Sequence, residues 1–421
     1  MKYFYLNIFN YIFMIYPLIS LIICLVFIIV LVRIKCDLGI TLLLGAVALG
    51  LLLHLTIWKT VYAVWQASID SDTLYLIAVI LLIQFFGDLA GKLGYLDRFV
   101  NGLRKLIIDN RLILAIIPAV GGLLPMPGGA MLTAPMVQAV AKETQLTPEQ
   151  KTFYNYWFRH VWEYILPLYP GVILSSVIFK VPVRQIIYSL FPLSLTAISA
   201  GLLFSYLTSH AGKNQVTSRK ERLRSSSFVL SGIWPILIIV ASVLILKQDL
   251  LLTLLIITPL ILLLNRTGVK IIWKTFRETV SYSTLTLVVG VMAFKWMLEV
   301  TEIVKVIPVF LASINFLPVA IIFLVPFFIG LITGVTQAFV GVAFPVVMPF
   351  MLNPDSNLNM TYVMLGYAGG FIGVLLSPVH LCLTLTNEYF KADLLKTYQQ
   401  LVIPISIVTV VAIIIVILRT S

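Results

Sequence analysis

Long apolar runs separated by short polar interruptions fill this chain. About 20 apolar residues carry a helix across roughly 30 Å of hydrocarbon, and about ten runs meet that length: 16–33, 37–55, 72–91, 153–180, 184–208, 229–247, 249–265, 279–300, 360–387 and 398–418. Two further apolar stretches are interrupted in the middle. Leu112 to Ala141 is broken by Pro125-Met126-Pro127-Gly128-Gly129, and Phe316 to Met351 by Thr333-Gly334-Val335-Thr336-Gln337. Proline and glycine stop a helix there, leaving arms of about 12 residues or about 18 Å, which reach half-way and turn back. The segments 112–141 and 316–351 are therefore expected to be re-entrant hairpins, with a pair of kinked ordinary spans as the alternative.

Each hairpin precedes a span with its own interruption, Tyr164 to Gly171 in the first half and Gly369 to Pro378 in the second. Pro118 and Pro326, Gly122 and Gly330, Ala130 and Ala338, and Pro170 and Pro378 share one offset of 208 residues. The expected fold is an all-α polytopic membrane protein with about ten transmembrane helices plus two re-entrant helical hairpins in two repeats. Residues 1–209 form the first repeat, 210–228 a basic cytoplasmic linker and 229–421 the second repeat. Five crossings per repeat, an odd number, insert the second upside down, which makes the repeats inverted in topology.

Composition agrees with a membrane solvent. Of 421 residues 60% are apolar and 11% charged, whereas soluble domains carry about a quarter charged residues; a soluble enzyme is excluded. The net charge of +12 is a topological bias and an attraction to anionic lipid, so no nucleic-acid partner is expected. With the linker inside, 21 of the 29 Lys and Arg fall on cytoplasmic loops, which places both termini outside a multi-pass cell-membrane protein. The apolar N-terminal run has no small-residue cleavage site and is expected to stay as a helix. Cys24, Cys36 and Cys382 show no paired spacing, so neither a disulfide framework nor a thiolate metal site is expected.

Non-helical backbone at membrane depth needs protein or a water-filled cavity around it. Helix N-termini at the hairpin tips and breaks offer unpaired N–H groups and about half a positive charge each, which suits a small anion such as a carboxylate. Candidate substrate contacts are Pro127, Gly128, Gly129, Thr133, Thr333, Gly334, Thr336, Gln337, Ser377 and Pro378. Coupling-ion candidates are His160, Glu163, His380 and Asn387, since ionisable groups inside spans are costly and functional by default. His160 and Glu163, three apart, share one helical face. The expected activity is secondary transport of a small organic anion with protons or sodium and no cofactor. A sodium/proton antiporter is the alternative, ahead of a channel or an intramembrane metalloenzyme. At the shared offset of 208 the second half has Ala368 and Phe371 where a matching His/Glu pair would be needed.

The run Leu123-Leu124-Pro125-Met126-Pro127-Gly128-Gly129-Ala130-Met131-Leu132-Thr133-Ala134-Pro135-Met136, with Gly366-Tyr367-Ala368-Gly369-Gly370, Ser377-Pro378-Val379-His380-Leu381-Cys382 and Thr386-Asn387-Glu388-Tyr389-Phe390, resembles the prokaryotic membrane-protein family DUF401. That family is similar to the ion-transporter superfamily, which includes gluconate permeases, dicarboxylate and citrate carriers and sodium/proton exchangers. The resemblance implies inverted repeats with one hairpin and one broken helix each, substrate and coupling ion at the tips and breaks, and a homodimer. The Ser-Asn-Thr tips of dicarboxylate carriers are missing from Pro125 to Ala130, and Thr336-Gln337 is only a faint counterpart.

Overall fold

The computed structural model describes residues 2–107, 109–124, 129–142, 144–209, 219–307 and 317–420, and among them it is helical with no strand. The first half contains α1 (Lys2–Arg33), α2 (Leu38–Leu52), α3 (Ile57–Ile69), α4 (Ser71–Lys92), α5 (Tyr95–Leu106), α6 (Asn110–Gly121), α7 (Ala130–Ala141), α8 (Pro148–His160), α9 (Pro170–Phe179) and α10 (Val183–Thr208). The second contains α11 (Arg219–Leu244), α12 (Leu250–Leu264), α13 (Val269–Thr279), α14 (Tyr282–Val300), α15 (described over 303–307), α16 (Pro318–Thr333), α17 (Thr336–Val347), α18 (Met360–Leu376), α19 (Leu381–Phe390) and α20 (Leu394–Thr420). Side-chain oxygens of Asp37, Thr56, Asp109, Thr147, Asp249, Ser281 and Asn359 accept the first free N–H groups of the helices they precede.

The helix order runs twice. Starts shift by 211 or 212 residues from Leu38 to Leu250, Ile57 to Val269, Ser71 to Tyr282, Pro148 to Met360, Pro170 to Leu381 and Val183 to Leu394. The hairpin arms shift less, by 208 from Asn110 to Pro318 and by 206 from Ala130 to Thr336. The sequence offset of 208 therefore holds for the first hairpin arm only. Pro170 opens α9, whereas Pro378 lies in the break ahead of α19 and starts no helix.

Seven helical segments among the described residues are long and apolar enough to cross a membrane: Ile15–Arg33, Ser71–Lys92, Val183–Thr208, Ser225–Leu244, Tyr282–Val300, Met360–Phe390, which takes in α18 and α19 with the break between them, and Leu394–Thr420. The expected spans 37–55 and 249–265 prove to be helices of 15 residues, about 22 Å at 1.5 Å per residue and short of the hydrocarbon thickness. Span 153–180 is divided by turns over 161–169. The polar segment taken for linker is helical from Arg219 on, because its Lys, Arg and Glu are good helix formers. Three helices longer than ten residues were not expected. In α3 the outward face carries Ile57, Trp58, Tyr62 and Trp65 while Thr60, Ala63 and Ala67 face in. α5 and α13 are short and amphipathic, and such helices suit a membrane–water boundary.

The chain forms two compact units that each draw on both halves. One comprises 1–77, 174–181 and 281–377, the other 78–173, 182–280 and 378–421. In the first, α14 packs on α2, α3 and α17, and α16 packs along α18. The glycines expected to break the second interrupted span do the opposite, since α18 runs through Gly369, Gly370 and Gly373 to Leu376. They let two backbones touch. A Cβ on Gly369 would lie 2.3 Å from the Phe323 carbonyl oxygen, and one on Gly373 would lie 2.1 Å from that of Phe327. In the second unit α5 packs on α11, while α6, α7, α10, α19 and α20 gather around α8. Tyr154, Tyr156, Phe153 and Trp157 of α8 are buried there.

Candidate functional site

The second unit contains a polar cluster assembled from α6, α7, α8 and α19. The first hairpin arm, α6, ends at Gly121, and the last carbonyls of a helix have no intrahelical partner. Groups at the end of α8 and in the turns after it satisfy them. Arg159 Nη1 donates to the Gly121 carbonyl at 2.7 Å, Trp162 Nε1 to that of Ala119 at 2.7 Å, and the Tyr169 hydroxyl to that of Gly122 at 2.5 Å. A guanidinium at a helix C-terminus also meets the negative end of the dipole. Arg159 is only 3% exposed. Its side chain turns inward to the α6 terminus, which a loop count cannot detect.

The returning arm α7 is tied to the same helix. Thr133 Oγ1 donates to Asn155 Oδ1 at 2.7 Å, and Asn155 Nδ2 donates to the Ala130 carbonyl at 3.0 Å and to Thr386 Oγ1 at 3.3 Å. One buried amide thus joins α7, α8 and α19. Beyond it, Asn387 Oδ1 accepts from Thr397 Oγ1 at 2.9 Å, while its buried Nδ2 has no hydrogen-bond partner.

One turn further along α8 the two interruptions meet. His160 Nε2 lies 3.1 Å from His380 Nε2 and 3.7 Å from Glu163 Oε1. His160 Nδ1 sits 2.6 Å from the Tyr156 carbonyl; that oxygen only accepts, so Nδ1 carries a hydrogen and the lone pair of the neutral ring is at Nε2. The His380 ring packs edge-on to His160 with centroids 5.1 Å apart, and Tyr156 lies against both. Cys382 completes the group, its sulfur and the ligating nitrogens of both histidines all within 4.8 Å of one another.

Among the residues singled out in sequence, Gly129, Thr133, His160, Glu163, Pro378, His380 and Asn387 belong to this second unit. Gly129 caps α7 without a side-chain bond and Pro378 is exposed. Thr333, Gly334, Thr336, Gln337 and Ser377 belong to the first unit. There Thr333 Oγ1 donates to the Ile329 carbonyl at 2.7 Å, Gly334 ends α16 with a φ of 66° that favours glycine, and Thr336 opens α17. Gln337 is half-buried and Ser377 fully buried at the end of α18. Pro127 and Gly128 lie outside the described residues. Also in the second unit, Asp88 accepts from Thr279 Oγ1 at 2.8 Å, and Lys92 pairs with Glu278 at 2.5 Å. Asn155, Thr386 and Arg159 were not singled out, and Cys382 was considered only for paired cysteine spacing, which it lacks. For Cys382 the signal was present in its position two residues after His380, but His160 lies 222 residues earlier in the chain than Cys382.

A profile described as "Protein of unknown function (DUF401)" matches residues 8–418. No curated protein matches the chain.

Proposed function

The chain belongs to the DUF401 family, and we propose that it is a secondary active transporter of a small organic anion, a carboxylate, driven by protons or sodium. The observation that carries this reading is the twice-run helix order, in which each half has two successive short helices, α6 and α7 or α16 and α17, followed by an interrupted pair α8/α9 or α18/α19. Interrupted helices in corresponding positions of two halves are the best pointer to a transporter's binding site, and alternating access follows from moving one group of helices against another. On this reading the halves are inverted repeats, the linker is cytoplasmic and both termini are outside. The protein then resembles the ion-transporter superfamily, gluconate permeases and dicarboxylate carriers included, and works as a homodimer.

Substrate contacts on this reading are Gly129 and Thr133 at one turn and Thr333, Gly334, Thr336 and Gln337 at the other. Gly129 caps α7 without a side-chain hydrogen bond, and on this reading the first backbone N–H groups of α7 face the carboxylate. His160, Glu163, His380 and Asn387 are the coupling-ion residues. The test is uptake of a panel of labelled organic anions by vesicles containing the purified protein, under an imposed proton or sodium gradient. One carboxylate accumulating with one gradient supports the reading, and Gly129→Leu abolishes that uptake while the protein stays monodisperse. If no anion accumulates and Glu163→Gln abolishes cation/proton exchange, the antiporter replaces it.

A further inference from the structure

We propose that His160, His380 and Cys382 form a binding site for a thiophilic transition-metal ion of the zinc class, with Glu163 balancing its charge. The donors fit by type and spacing. Two imidazoles and a thiolate select zinc-like ions over magnesium or calcium, which take oxygen ligands. Tetrahedral zinc with bonds of about 2.0–2.1 Å to nitrogen and about 2.3 Å to sulfur separates two nitrogens by about 3.3 Å and a nitrogen from sulfur by about 3.6 Å. The two Nε2 atoms stand 3.1 Å apart, close to the separation of two zinc-bound nitrogens, and the Cys382 sulfur lies within 4.8 Å of the donor nitrogens.

A second observation points the same way. A metal-bound histidine nearly always donates its other ring N–H to a carbonyl or carboxylate, which fixes the tautomer and aims the lone pair. His160 already does this through Nδ1 to the Tyr156 carbonyl at 2.6 Å. Its Nε2 lone pair is thereby presented to His380 and Cys382. The charges also close. A divalent ion against the Cys382 thiolate and the Glu163 carboxylate, 3.7 Å from His160 Nε2, is neutral overall, as a low-dielectric surrounding demands. The nearby Arg159 cation is held at the C-terminus of α6 by the Gly121 carbonyl.

The ligands come from the end of α8 and the start of α19, so the ion would pin together the two interruptions of this unit. The site shares residues with the coupling-ion reading, but its test does not depend on transport. The full-length protein in detergent, stripped with a chelator, is titrated with Co2+ and followed by absorbance. One equivalent is expected to produce a thiolate-to-cobalt charge-transfer band that Zn2+ displaces and Mg2+ or Ca2+ does not. Cys382→Ser and Cys382→Ala abolish the band, and His160→Gln or His380→Gln weakens Co2+ binding at least tenfold, while Cys24→Ser with Cys36→Ser leaves it intact. Absence of the band in the wild type, its survival in both Cys382 variants, or its loss with Cys24 and Cys36 overturns the proposal. Failed uptake in vesicles with an intact band would reject the transport reading alone.

Discussion

Gly373→Ala tests whether the α16–α18 contact is a backbone contact made by glycine. The added Cβ would sit 2.1 Å from the Phe327 carbonyl oxygen and 2.9 Å from the Leu331 nitrogen. Close carbon–oxygen contacts between helices settle near 3.3 Å, so about 1 Å of separation is needed. The obstructing atoms are backbone, and no rotamer change relieves them. α16 must move as a body, which also opens the contacts of Gly369 on Phe323 and of Gly330 on Gly370, at 2.3 and 2.2 Å for a Cβ. A gap of about 1 Å forfeits up to half of each dispersion contact, and in a bilayer packing is a main source of helix association. The overpacking cost of about 1–3 kcal/mol exceeds the gain of up to ~1 kcal/mol from replacing a helical glycine by alanine. Thermal unfolding of the detergent-solubilised protein, followed by size-exclusion chromatography, should show a lowered midpoint. Gly87→Ala in α4, where a Cβ meets nothing within 4 Å, should show an unchanged or raised one. Equal midpoints for the two variants would refute the reasoning.

Three further outcomes are expected. Asn155→Leu leaves the Ala130 carbonyl and the Thr133 and Thr386 hydroxyls without their amide and should cost about 1–3 kcal/mol in the same unfolding assay; no change would mean that the three helices are not joined there. Trp162→Phe removes the bond to the Ala119 carbonyl together with part of the ring's packing and should cost about 1 kcal/mol or more, with faster hydrogen exchange confined to the end of α6 as the signature of the lost bond. For Asp37, burial by itself would raise the carboxyl, but hydrogen bonds from Ser283, the Ile40 N–H and Thr286 outweigh it and hold the group below its ordinary value. A depressed carboxylate contributes stability above the unfolded-state value, and that contribution is lost as pH falls through the folded-state value. Asp37→Asn should therefore melt below the wild type at about pH 7, and the gap should close below about pH 4; a gap independent of pH would count against the carboxylate.

Much of the fold follows from short-range pattern. In a bilayer every backbone polar group must be bonded within its segment, so a long apolar run has little choice but helix. That is why α10, α14 and α20 lie close to their expected bounds. Proline at 170 opens α9, where its missing N–H costs nothing. Glycine was ambiguous, because the same residue serves as a breaker or as a close-packing surface. Gly334 ends a helix, whereas Gly369, Gly370 and Gly373 pass through one, and the difference lies in whether another backbone is at hand to be packed against. Short surface helices escaped for a related reason. α3 and α13 are two-faced, and no unbroken apolar run marks them.

The sequence by itself determined a helical membrane protein, the helix start at Pro170, the helix end at Gly334, and the ionisable residues placed inside apolar segments. Those are properties of a window of residues and of the solvent around it. Only the tertiary structure decided that Asn155 bridges α7 and α19, that Arg159 turns inward to cap α6, and that His160 meets His380 and Cys382 across 220 and 222 residues. Local hydropathy fixes where a helix starts and stops, but which buried polar atoms face one another depends on how the helices pack, and that information is spread over the whole chain.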